Sequence, residues 1–163
     1  MSAPHLVASW LGPEARRVKH HEITMDVAPA RAYRAVLDLR LSELPLTRLL
    51  FRLRRIPHQP QMTVRELFTS PPFRLLEEQV PLEIVCEISR RHFRAVANFR
   101  FESRGPGSVV TTATWVETWG WSASIAFAVY WLVVAPFSGL IRRELLRVAQ
   151  RRAEGPPGPR LMR

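Results

Sequence analysis

The sequence predicts an α+β fold, a curved antiparallel sheet wrapped around a long C-terminal helix, with two short helices after the first strand. Three observations carry this. The middle of the chain alternates apolar and polar residues in several short runs. One stretch, Thr118 to Ile141, carries no charge and supplies the long helix that such a sheet needs as cover. The order strand, two helices, strands, helix keeps the helices apart from the strands, as α+β layouts do.

The first strand is "VKHHEITMDV", with His21, Ile23, Met25 and Val27 on one face and His20, Glu22 and Thr24 on the other. In "DVAPARAYRAVLDL", Pro29 suits the first turn of a helix, where a missing N–H costs nothing. Ala32, Tyr33, Val36 and Leu37 form its apolar stripe, and Asp26 is placed to cap its entry. The second helix falls in "SELPLTRLLFRLRRIP", starting near Ser42 or Glu43. Leu46, Leu49, Leu50 and Leu53 share one face, with Arg48, Arg52 and Arg55 towards the other.

Five strand-like runs follow: "TVRELF", "FRLLEEQV", "LEIVCEI", "HFRAVANFRFE" and "SVVTTATWVETW". The fourth is the clearest. Phe93, Ala95, Ala97, Phe99 and Phe101 lie on one face, and Arg94, Asn98, Arg100 and Glu102 on the other. "SRGPGS" then makes a turn between antiparallel neighbours. The sheet so formed has an apolar, aromatic face that requires burial, and the uncharged C-terminal segment is its cover. Length alone also allows that segment, residues 118–141, to span a membrane. Against this, removing it would leave Phe93, Phe99 and Phe101 open to water. Pro136 predicts a kink or break before an amphipathic last part containing Leu140, Ile141, Leu145 and Val148.

Length and composition suit one globular domain: 163 residues, 47% hydrophobic and 23% charged. Residues 1–17 read as a flexible arm, 18–154 as the domain and 155–163 as a disordered tail rich in Pro and Gly. The formal charge of +10 invites a nucleic-acid reading, but no recognition motif or aromatic-studded basic face is present. With Lys19 the only lysine, much of that charge fits the arginine usage of a GC-rich genome. Cys86 is the single cysteine, flanked at two-residue spacing by Ile84 and Ile88, and reads as core. The N-terminus lacks a basic n-region and a continuous apolar run, so a cytoplasmic location is expected.

Several chemistries find no support. His20 and His21 are adjacent and point to opposite faces of a strand. His5, His58 and His92 are scattered, so no metal site is expected. No phosphate loop or nucleophile motif occurs, and no cofactor is expected. His21 is the only histidine on the inward face and the best acid–base candidate, with a satisfied core histidine as its plainer reading.

The stretch "ITMDVAPARAYRAVLDL" resembles the opening of the START-like, or SRPBCC, superfamily. "TTATWVETWGWSASIAFAVYWLVVAPFSGLIRRELLRVAQRRAE" is similar to the C-terminal part of an uncharacterised bacterial subgroup. Thr112, Thr114, Val116, Tyr130, Trp131, Pro136, Ser138, Gly139, Arg142 and Arg143 match its pattern. Trp115 and Trp119 depart from it, standing where charged residues are expected and making that end greasier. The resemblance, over about residues 18–154, implies a helix-grip fold with a cavity for a hydrophobic or amphipathic small molecule, lipid- or polyketide-like. It does not imply catalysis, although an aromatase/cyclase-like enzyme using the same cavity, with His21 and Tyr130 as its polar groups, stays open. The expected ligand-contacting set is Phe93, Phe99, Phe101, Trp115, Phe127, Tyr130 and Trp131, with Thr114 and Tyr130 as orienting hydroxyls. Arg48, Arg52 and Arg55, over the cavity mouth of such a fold, either meet an anionic membrane surface or are simply solvated. The sequence is silent on oligomeric state.

Overall fold

Five of the runs become strands: β1 (Arg16–Met25), β2 (Arg74–Gln79), β3 (Glu83–Ser89), β4 (Phe93–Arg104) and β5 (Gly107–Thr118). They form one antiparallel sheet in the order β1-β5-β4-β3-β2. The helices are α1 (Pro29–Leu37), α2 (Pro45–Leu53), α3 (Val64–Phe68) and α4 (Trp121–Glu154). The computed structural model describes residues 6–155, without the side chains of residues 121–124 and 126–136 in α4. The architecture is the expected helix-grip: a sheet around a long C-terminal helix, with short helices after β1.

Register fixes what faces inward. Ile84 pairs with Phe99 and Cys86 with Ala97, while Phe99 pairs with Thr112 and Ala97 with Thr114. All six therefore share the inner face, because residues opposite one another across a ladder point the same way. The second half of α4 lies over that face and packs against α1, α2 and β1. Leu145, Leu146, Ala149 and Ala153 are buried there. Its end is tied to the end of β1. Gln150 Nε2 donates to the Thr24 carbonyl (3.1 Å), and Glu154 accepts from the Asp26 N–H (2.9 Å).

Several elements differ from the sequence expectation. "TVRELF" forms α3, not a strand, because Thr63 and Glu66 make a capping box: Thr63 Oγ1 accepts from the Glu66 N–H while Glu66 accepts from the Thr63 N–H. Asp26 does not cap α1, whose N-cap is Ala28. α2 is rotated relative to its leucine stripe. Thr47, Leu50 and Phe51 are buried, whereas Leu49 and Leu53 are 60% and 72% exposed. Phe51, the largest apolar side chain of the segment, decides which face turns inward. α4 continues through Pro136 without a break.

The segment Leu6–Trp10, expected to belong to a flexible arm, forms a 3₁₀ turn docked on the outer face of the sheet. Val7 is buried with Val85 and Val96, and Trp10, Leu76 and Trp115 pack around them. Two backbone N–H groups, of Leu6 and Val7, donate to Glu83, and Gly12 N–H donates to Glu117. The charged face of the sheet is thus largely covered. Glu83 also accepts from Asn98 (2.7 Å) and Arg100 (3.2 Å). Glu87 is bound by Arg74 and Arg94.

Among the described residues no helix is long and apolar enough to cross a membrane. Most of the uncharged stretch 118–141 lies outside the described side chains, but one position near its end sits inside the fold. Gly139 is buried, and a methyl placed on it would lie 3.7 Å from Nε2 of His21.

Candidate functional site

The inner face of β4 reads Phe93, Ala95, Ala97, Phe99. Two methyl side chains between two phenyl rings cannot fill the gap between a sheet and a helix, and a cavity of about 300 Å³ lies there. β3 contributes Cys86 and Ile88, and β5 contributes Thr114. The roof is one face of α4: Ser138, Ile141, Arg142 and Leu145, at the i, i+3, i+4, i+7 spacing of a single helical stripe. Phe51 of α2, Leu67 and Phe68 of α3, and Phe73 close the side. The ring of Phe68 lies 5.7 Å from that of Phe99.

One end of the sheet–helix space is sealed. Phe101 is fully buried and meets Tyr33 of α1 edge-on at 5.2 Å between centroids. The Tyr33 hydroxyl donates to Glu78 and accepts from Arg65. Burial first, and Glu78 second, push the phenol up to about 12, so it stays protonated. At the other side α2 is held by Glu144 of α4, which accepts from the N–H groups of Leu46 (2.9 Å) and Thr47 (2.7 Å) and from the Thr47 hydroxyl (2.6 Å). A carboxylate from α4 thereby satisfies orphan donors at the start of α2, fixing Phe51 against the cavity.

The polar chemistry of the cavity centres on Arg142. Its two terminal nitrogens donate to the hydroxyls of Thr112 (2.7 Å) and Thr114. Arg142 is half-buried, on the cavity wall, and desolvation lowers its pKa to about 10. It is charged at neutral pH. Among the described residues no carboxylate lies within ion-pair reach of it. Glu87, between the lining residues Cys86 and Ile88, turns its carboxylate to the outer face, where Arg74 and Arg94 bind it. Burial alone would raise the pKa of Glu87, but those two arginines outweigh it and hold the carboxyl below its ordinary range. Arg54 and Arg90 also line the cavity. Cys86 offers no thiolate, since burial pushes its thiol up to about 12.

Of the residues expected at the site, Phe93, Phe99 and Thr114 line the cavity. Phe101 faces inward but is consumed by the contact with Tyr33. Trp115 is a correction. It neighbours the inward Thr114 on β5 and so faces outward, packing with Val85 and Val96, while Trp119 is 51% exposed. Neither makes the cavity greasier. The side chains of Phe127, Tyr130 and Trp131 lie outside the described residues. His21 points at Gly139 rather than into the cavity, with its buried Nε2 lacking a hydrogen-bond partner. Burial, then Arg142, Arg143 and Lys19, lower its pKa, so it is neutral at pH 7. No group of three or more metal-binding side chains occurs among the described residues. Sequence reasoning noted Arg142 only as part of a motif match. The signal that marks it is its place in the 138/141/142/145 stripe, where a single cation interrupts an otherwise uncharged helix face.

No family model matches the chain, and no curated protein matches it. Solved structures of similar fold include the di-domain ARO/CYC BexL of the BE-7585A biosynthetic pathway. It is 15% identical, with 93% of this chain and 53% of that chain covered and a TM-score of 0.49. Ara h 8.0201 is 9% identical over 85% of this chain and 97% of its own, with a TM-score of 0.41. Protein MLL2253 from Mesorhizobium loti is 11% identical over 83% and 98%, with a TM-score of 0.46. These are likenesses of fold alone.

Proposed function

We propose that the chain, through a ligand-binding domain spanning residues 18–154, binds a hydrophobic or amphipathic small molecule, lipid- or polyketide-like, between the sheet and α4. The observation that carries this is the cavity itself, about 300 Å³ and walled by Phe51, Phe68, Phe73, Phe93 and Phe99. That volume is at the lower end of ordinary ligand pockets, and an apolar wall with few polar groups is their usual character. A well-packed interior has few voids larger than a water molecule, so a space this size is a feature to be filled. The aromatase/cyclase-like alternative gains no acid–base group from the described wall, since His21 faces Gly139.

Uptake of the uncharged dye Nile red tests the reading. Saturable binding with a blue-shifted emission is expected, and Ala97→Phe, which projects a ring into the cavity, should reduce it at least fivefold. Absence of saturable uptake, or uptake indifferent to Ala97→Phe, contradicts the reading.

A second reading concerns α2. Leu49 and Leu53 are exposed on the same helix as the exposed Arg52, followed by the exposed Arg55, an arrangement suited to an anionic membrane surface. Co-sedimentation with vesicles containing phosphatidylglycerol, lost in Leu49→Ser/Leu53→Ser, is the expected result. Equal sedimentation of both proteins would reject it.

A further inference from the structure

We infer that Arg142 is the anchor for a single anionic group on the cavity ligand, and that the ligand class is an apolar, aromatic or aliphatic, monocarboxylate. This rests on the cavity-binding reading above and specifies its substrate. Three observations support it. Arg142 stands on the cavity wall among apolar side chains, between Ile141 and Leu145 of the lining stripe. Its terminal nitrogens are held by the hydroxyls of Thr112 and Thr114, which fix the plane of the guanidinium without neutralising it. No carboxylate among the described residues pairs with it.

A buried cation without a counter-ion is costly, and an incoming anion relieves that cost. One guanidinium balances one negative charge. A dianionic phosphate would carry a second charge into an apolar chamber, whereas a carboxylate matches the planar fork in both charge and shape. The threonine hydroxyls add to this. Each accepts from Arg142 and keeps its own O–H to donate, and that of Thr114 lies on the wall. The apolar body of the ligand then lies along Ala95 and Ala97, against Phe93, Phe99 and Phe68.

The test uses 2-naphthoate, 2-naphthalenemethanol and 2-naphthyl phosphate, titrated into the full chain and followed by ligand fluorescence. The naphthoate should bind about tenfold or more tightly than the alcohol, as a charge-assisted hydrogen-bonded pair implies. Arg142→Met should bring the naphthoate down to the affinity of the alcohol and leave the alcohol unchanged or improved. Because that variant is read against its own alcohol affinity, misfolding would show as loss of both and is checked by Arg142→Lys, which should keep a reduced preference. Arg31→Gln, on the surface, should leave the preference intact, separating the cavity from the general positive charge of the protein. Equal binding of naphthoate and alcohol by the native chain overturns the inference while leaving the cavity reading standing. Tighter binding of the phosphate overturns the commitment to a monocarboxylate. Binding of none of the three, together with no Nile red uptake, overturns both.

Discussion

Arg100 and Arg142 lie on opposite faces of the same sheet, and the difference between them separates structure from function in this molecule. Arg100, on the outer face, is 6% exposed and donates to Glu83 and Glu102. Its charge is matched, and Glu83 in turn holds Asn98 and the backbone of Leu6 and Val7. Arg142, on the inner face, has only hydroxyls as partners among the described residues and a hollow in front of it. A buried ion that is paired and hydrogen-bonded specifies how parts fit together. A buried ion held in position but left unpaired is poised for something that is not part of the chain.

The comparison can be broken first at its outer member. Glu83→Ala should destabilise the fold by about 3–5 kcal/mol, the cost of leaving Arg100 buried without its partner. Urea unfolding measures this, and a loss below ~1 kcal/mol would mean that the outer network is not structural. A smaller effect is expected for Glu144→Ala, which removes the acceptor of three donors at the start of α2. About 1–2 kcal/mol should be lost, and Nile red affinity should fall as Phe51 loosens from the wall.

Acid sharpens the contrast further. Glu87 has a folded-state pKa below its unfolded value, so its stabilisation is present above the unfolded carboxylate range and is lost as pH falls through the folded value. Stability should therefore decline below about pH 4, and Glu87→Gln should flatten that limb of the profile. His21 contributes the smallest effect. Its folded pKa is also lowered, but here it is the neutral form that the fold favours. The unfolded chain binds more protons in the window just below pH 6.5, so stability should fall as pH drops through it. His21→Gln should remove that share. An unchanged pH profile in this variant would place the ring in water.

Much of the architecture was legible in the residues. Period-two alternation placed β1 to β5 because each has one face against the core, and the uncharged run placed α4 because the sheet needs a cover. The misreadings have specific causes. "TVRELF" carries β-branched and aromatic residues, but a Thr and a Glu three apart satisfy two helix-start donors at once, and that local gain decided for α3. In α2 a count of leucines outvoted Phe51, although ring size governs which face is buried. The docking of Leu6–Trp10 depends on Glu83 and Glu117, 77 and 105 residues away from their backbone partners, and no local pattern shows such pairing. At the site, Phe93, Phe99 and Thr114 followed from parity, while Trp115 violated the same parity. Arg142 was hidden by its neighbour. An "RR" pair reads as the solvated end of a helix, yet successive helical residues point about 100° apart, and only Arg143 is exposed.

The most direct test of the central claim is the stability of ligand-free Arg142→Met beside Arg100→Met in urea. Replacing a half-buried cation that has no carboxylate partner with an apolar side chain of similar length should leave stability unchanged or raise it by about 1–3 kcal/mol, whereas Arg100→Met should lower it by about 3 kcal/mol. If Arg142→Met instead lowers stability as much as Arg100→Met does, then Arg142 is a structural residue like its counterpart, and the account of the inner face is wrong.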